Sequence, residues 1–169
     1  MRLNLLFSAL LFITTSTHAQ TRTYEVSTIA KDLLPYASSV VRESDYTTEV
    51  KDLNNTIFRI KRVITVLNKN GDGDVHIMVW HNKSNQIRYI KGIIYDEYGK
   101  QTGKFSESNF QDASVASEGS LFEDSRVKHY QPTVTDYPYT VEYEYEVRSK
   151  QSLNLRDWDP VPGYGVALE

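Results

Sequence analysis

Beyond residue 35 the chain alternates apolar and polar side chains with a period of two, the pattern of strands laid on a half-buried pleated sheet. Val40 and Val41 open an extended stretch that runs through Tyr46 to Val50. Thr56 to Asn68 is the clearest strand. Phe58, Ile60, Ile64 and Val66 share one face, broken only by Arg62, and Ile57, Arg59, Lys61, Val63, Thr65 and Leu67 share the other. Lys69-Asn70-Gly71-Asp72-Gly73 then predicts a hairpin turn, since Asn-Gly supplies the positive φ that tight hairpins need. In the predicted return strand Val75, Ile77 and Val79 alternate with His76, Met78 and Trp80. Gln86 to Tyr95 predicts a further strand, turned by Tyr98 to Gly103 toward Phe105. Ser106 to Ser120 has little period and predicts a loop with one helical turn around Phe110 to Ala113. Arg126 to Tyr130 is a short strand closed by Gln131-Pro132. Thr140 to Val147 places Val141, Tyr143, Tyr145 and Val147 on one face and Glu142, Glu144 and Glu146 on the other. Tyr164 to Glu169 begins one more strand and stops inside it, the mark either of an edge strand that ends the protein or, as preferred, of a truncated piece of something longer.

Before the first strand, Ser27 is placed to cap a short helix from Thr28 to Leu34, with Ile29, Leu33 and Leu34 on one side and Pro35 as its stop. The whole reads as an all-β fold, an antiparallel β-sandwich of six or more strands with one short N-terminal helix. Residues 20–169 carry no repeat, linker or low-complexity tract and form a single domain. Residues 1–19 stand apart. Arg2 gives a short positive region, Leu3 to Thr14 is apolar apart from Asn4 and Ser8, and Thr17-His18-Ala19 offers small residues for a signal peptidase. The expectation is a cleaved signal peptide and an exported, periplasmic or extracellular product. Later apolar runs such as Gly92-Ile93-Ile94-Tyr95 are far too short for a bilayer span of ~20 residues.

Composition removes several functions. With no cysteine, thiol catalysis, disulfides and thiolate metal sites are excluded. A net charge of −3 is opposite in sign to the basic footprint of a nucleic-acid binder, so no nucleic acid is expected as a partner. Twelve tyrosines against six phenylalanines favour half-buried sheet surfaces, where rings pack and hydroxyls stay wet.

The candidate chemistry is sparse. Asn68-Lys69-Asn70-Gly71-Asp72-Gly73-Asp74 starts like a calcium loop, but its twelfth position is Val79 where a bidentate Glu is needed, so an exposed turn is the better reading. His76 and His81 lie five apart on one predicted strand and face opposite ways, and His129 lies near Asp136 in sequence without forming a motif. No serine-elbow, zinc-protease or phosphate-loop motif is present, so no catalytic residue, metal or cofactor is assigned. Glu142, Glu144 and Glu146 could bind a cation or form an acid/base pair. The preferred reading pairs them with Arg59 and Lys61, which share their spacing, on a neighbouring strand. The better binding candidates are the aromatics Trp80, Trp158, Tyr137, Tyr139 and Tyr164, near turns and strand ends, where an exposed ring could stack on a sugar or a partner side chain; core packing is their competing role. Asn54-Asn55-Thr56 and Asn82-Lys83-Ser84 have the form of glycosylation acceptors.

Val40-Val41-Arg42-Glu43, the run Arg59 to Asn68 with its glycine-containing turn, Ser120-Leu121-Phe122-Glu123-Asp124-Ser125-Arg126 and Tyr137-Pro138-Tyr139-Thr140-Val141-Glu142-Tyr143-Glu144-Tyr145 together resemble the family called domain of unknown function 3857. The resemblance covers about Thr28 to Glu169. It implies a non-catalytic β-sandwich module at the N-terminus of an exported Gram-negative, often Bacteroidetes-like, protein, ahead of a transglutaminase-like domain. It assigns no binding residues.

Two functions are therefore carried forward. The first is a scaffold or recognition module whose aromatic edge or face holds a peptide or glycan. The second is a stand-alone glycan-binding or glycan-cleaving sandwich using Glu142, Glu144 or nearby Asp residues.

Overall fold

The computed structural model describes residues 24–115, 124–151 and 165–169. Residues 1–19, the predicted signal peptide, and Trp158 and Tyr164 lie outside the described residues. Nine strands are described: β1 (Ser39–Asp52), β2 (Asn55–Val66), β3 (Ile77–His81), β4 (Asn85–Tyr95), β5 (Gln101–Ser106), β6 (Gln111–Ser114), β7 (Arg126–Tyr130), β8 (Tyr139–Ser149) and β9 (Val166–Leu168). Six form one sheet in the order β5-β4-β8-β2-β1-β9, and three form a second in the order β3-β7-β6. All pairings are antiparallel except β1 with β9.

The period-two pattern sets what lies between the sheets. Ile60, Ile64 and Val66 from β2 and Val141, Tyr143, Tyr145 and Val147 from β8 join Ile77 and Val79 from β3 in one apolar cluster. Phe105 from β5 reaches across to it. Its ring fills the space a side chain on Gly92 would take and packs on Tyr130 at 4.7 Å and Phe110 at 6.2 Å. Arg62, the break in the β2 pattern, is half-buried and pairs in register with Tyr143, whose phenol it contacts.

Three local predictions change. The helical segment ahead of β1 is two three-residue 3₁₀ turns, Val26–Thr28 and Lys31–Leu33, instead of one continuous helix capped by Ser27. The Ser27 hydroxyl bonds the Glu25 carboxylate, and Ile29 is buried while its neighbours are exposed. The Asn70-Gly71 segment is not a hairpin. Lys69–Val75 winds as a 3₁₀ turn, with the Asn68 side chain accepting from the Asn70 N–H, and carries the chain from the large sheet to the small one. Gly71 is required there for close approach: a Cβ would stand 2.4 Å from the Ser38 carbonyl oxygen. Within Ser106 to Ser120 the single turn falls at Glu107–Asn109, closed by a Ser106/Asn109 capping box, and Gln111–Ser114 is strand, because it pairs with β7.

Candidate functional site

The outward face of the large sheet carries the glutamate ladder, and each rung meets a base. Glu146 accepts from Arg59 at 2.7 Å, Glu142 lies 3.4 Å from Lys61, and Glu144 lies 2.8 Å from Lys91. Arg59 also reaches Glu49, and Lys61 reaches Glu43 at 2.9 Å. Hydrogen bonds to the Glu146 and Glu49 carboxylates hold the Arg59 guanidinium above its usual range. Burial pulls the Lys61 ammonium down, but Glu43 and its neighbours outweigh this and hold it up. A shallow groove of about 300 Å³ crosses this face, lined by Lys91, Lys104, Glu142 and Glu144 among others. The cross-strand pairing with Arg59 and Lys61 is as the sequence predicted; Lys91 is a third partner that β4 supplies.

The histidines do not converge on a metal. His76 and His129 stack edge to face at 5.7 Å, and His81 lies 3.2 Å from Asp112, which also takes the Arg126 guanidinium at 2.8 Å. Burial works against the charged Asp112 carboxyl, but Arg126 and His81 hold it below the usual range. Asp74 accepts from Ser39 at 2.7 Å and Asp72 from two tyrosines, so both acids of the calcium-like run are tied to the fold. Among the described residues, no three His, Asp or Glu side chains gather as a metal site. No described helix is long and apolar enough to cross a membrane.

The aromatic candidates separate into two places. Trp80 is 49% exposed on β3. It shares the outward face of the small sheet with Met78 and lies opposite Val127 and, one strand further, Ala113. Tyr137 and Tyr139 instead meet at one end of the sandwich, with ring centres 5.5 Å apart across a cis Tyr137–Pro138 bond. Their hydroxyls donate to the two oxygens of Asp72, at 2.7 and 2.9 Å. Tyr139 is only 2% exposed, so of its two candidate roles it takes core packing, drawn in as the first residue of β8.

These two tyrosines border a cleft of about 560 Å³, within the roughly 300–1,000 Å³ of small-ligand pockets. Its opposite wall is the β4–β5 turn, which supplies Tyr95, Asp96, Glu97 and Tyr98. That wall is fixed from within. The Asp96 carboxylate accepts from the Tyr98 and Lys100 N–H groups, Gly99 takes φ 75°, and the Val26 N–H bonds the Glu97 carbonyl. The near wall is fixed by Asp72, whose carbonyl also accepts from the Gln131 amide. Tyr95 is half-buried, packs against Tyr24 at 5.4 Å and donates to Glu142 at 2.7 Å. Burial, then the acceptor carboxylate, raises the Tyr95 and Tyr139 phenols well above their usual range. The Asp72 hydrogen bond raises Tyr137, and Glu97 raises Tyr98. Tyr98 is 71% exposed. Sequence reasoning missed Tyr95, Asp96, Glu97, Tyr98 and Asp136; the run Tyr95-Asp96-Glu97-Tyr98 at a predicted turn was the available sign.

Residues 54–161 match the family described as a domain of unknown function with a solved structure, DUF3857. The chain belongs to the DUF3857 family. No curated protein matches it in sequence. Among solved structures, the chain is similar to one described as "a putative protease" from Parabacteroides distasonis, with a TM-score of 0.60 and 9% identity over 68% of this chain. At that identity the likeness is one of fold. The alignment spans 24% of that protein's length, so this DUF3857 chain corresponds to about a quarter of it.

Proposed function

We propose that this chain is a non-catalytic recognition domain of an exported protein, working beside a transglutaminase-like domain in a longer parent, and that the tyrosine cleft is its binding element. The observation that carries this reading is the cleft itself. It is concave, its walls are held by internal hydrogen bonds, and it presents rings from two separate segments. A pre-set pocket of this kind loses little freedom when a ligand enters. The ladder of Glu142, Glu144 and Glu146 supports the non-catalytic part of the reading, since these carboxylates are engaged by Lys61, Lys91 and Arg59. The Arg2, apolar Leu3 to Thr14 and Thr17-His18-Ala19 pattern supports export.

The test is a screen of the purified protein and its Tyr98→Ala variant against peptide and glycan arrays. Binding by the wild type that the variant loses, with unchanged urea unfolding, is the expected result. Equal binding by both would place recognition elsewhere, and the Trp80 face would be the next surface to truncate.

A further inference from the structure

We infer that the cleft takes a positively charged side chain, the ammonium or guanidinium of a basic peptide segment, an assignment that rests on the recognition reading above. Asp96, Glu97 and Asp136 all line the cleft, from both of its walls. No described lysine, arginine or histidine lines it with them. Lys100 belongs to the same turn but is exposed and is not among the lining residues. The Asp96 carboxylate meets only backbone N–H groups, Glu97 has a neutral phenol beside it, and Asp136 is exposed with no ion pair to another described residue. None of these partners cancels a charge, so a concave wall focuses negative potential on whatever enters.

The rings complete the match. The Tyr137 hydroxyl is engaged by Asp72, so this side chain offers the cleft ring surface more than hydrogen bonds, and the opposite wall carries the exposed Tyr98. An aromatic face beside carboxylates, without a competing base, is the chemistry that holds a cation. A neutral glycan would stack on the same rings but would gain nothing from the three carboxylates. That decides between the two ligand classes in favour of a basic peptide.

The experiment measures binding of a fluorescein-labelled Gly-Lys-Gly-Lys-Gly peptide, its acetyl-lysine counterpart and chitotetraose to three proteins. These are the wild type, the triple variant Asp96→Asn/Glu97→Gln/Asp136→Asn, and Tyr98→Ala. The amides keep shape and the turn's acceptors, and urea midpoints confirm that each variant is folded. The account expects the lysine peptide to bind the wild type at least about tenfold more tightly than the acetylated one, and the triple variant to lose that preference. Equal binding of both peptides, retained lysine binding in the triple variant, or a preference for chitotetraose would each overturn the cation assignment. If Tyr98→Ala still weakens binding in those cases, the recognition reading survives. If Tyr98→Ala changes nothing, both fail.

Discussion

Two grooves on the same sheet carry carboxylates and have opposite characters. The groove over β8 sets Glu142 and Glu144 among Lys91 and Lys104, while the cleft at the sandwich end sets Asp96, Glu97 and Asp136 among tyrosines with no described base. In the first, strand register places Lys61 and Lys91 across from Glu144 and Arg59 across from Glu146, and Lys61 reaches Glu142 diagonally at 3.4 Å. In the second, the acids sit on turns and connections, where no neighbouring strand imposes a partner. A row of acids on a strand therefore describes how the sheet is held together, and the acids left without bases mark where something else can bind.

The largest effect is expected where the two grooves share a wall. Strand β5 contributes Lys104 to one and Thr102 and Gly103 to the other, and Phe105 anchors it to the core. Phe105→Ala should lower stability by about 3–5 kcal/mol and disturb both grooves, read as a reduced urea midpoint. A smaller and more selective loss is expected for Asp72→Ala. The buried Tyr139 hydroxyl would lose its acceptor at a cost of about 1–3 kcal/mol, and the near wall of the cleft would loosen while the ladder stays intact. Peptide affinity should fall with it.

Alkaline titration gives a third contrast. The folded protein holds the Tyr95 and Tyr139 protons more tightly than the unfolded chain, whose phenols titrate near ~10. Their contribution is complete below about pH 10 and is lost as pH rises from there toward the higher folded values. Tyrosinate absorbance should therefore rise in two stages, the exposed phenols first and these two only as the fold opens. A single early rise covering all tyrosines would contradict their burial. The smallest effect is expected for Glu144→Gln, which removes one half-buried rung facing the exposed Lys91. Its stability change should stay within about 0.5 kcal/mol of zero.

Sequence periodicity captured what depends on pattern alone. Strands β1, β2, β4, β7 and β8 and the pairing of the glutamates with Arg59 and Lys61 follow from alternation. It misplaced what depends on contacts distant in sequence. Gly71 looks like a hairpin glycine, yet it is needed because Ser38 passes against it, and the chain leaves the sheet there. Gln111–Ser114 has no strand pattern of its own, being exposed throughout, and is strand only because β7 lies beside it. The cleft was half legible. Tyr137 and Tyr139 stood out as aromatics near a turn, but their partner wall at Tyr95 to Tyr98 lies some forty residues away in sequence. For Tyr139 the sequence leaves both an exposed ring and core packing open, because nothing local reveals that Asp72 draws its hydroxyl inward.

The most direct test compares the two acidic regions in one titration. Lysine-peptide affinity would be measured for the wild type, for the cleft variant Asp96→Asn/Glu97→Gln/Asp136→Asn, and for the ladder variant Glu142→Gln/Glu144→Gln/Glu146→Gln. The account predicts that the cleft variant loses at least about tenfold in affinity while the ladder variant binds like the wild type. Equal losses in both variants, or a loss confined to the ladder variant, would contradict it.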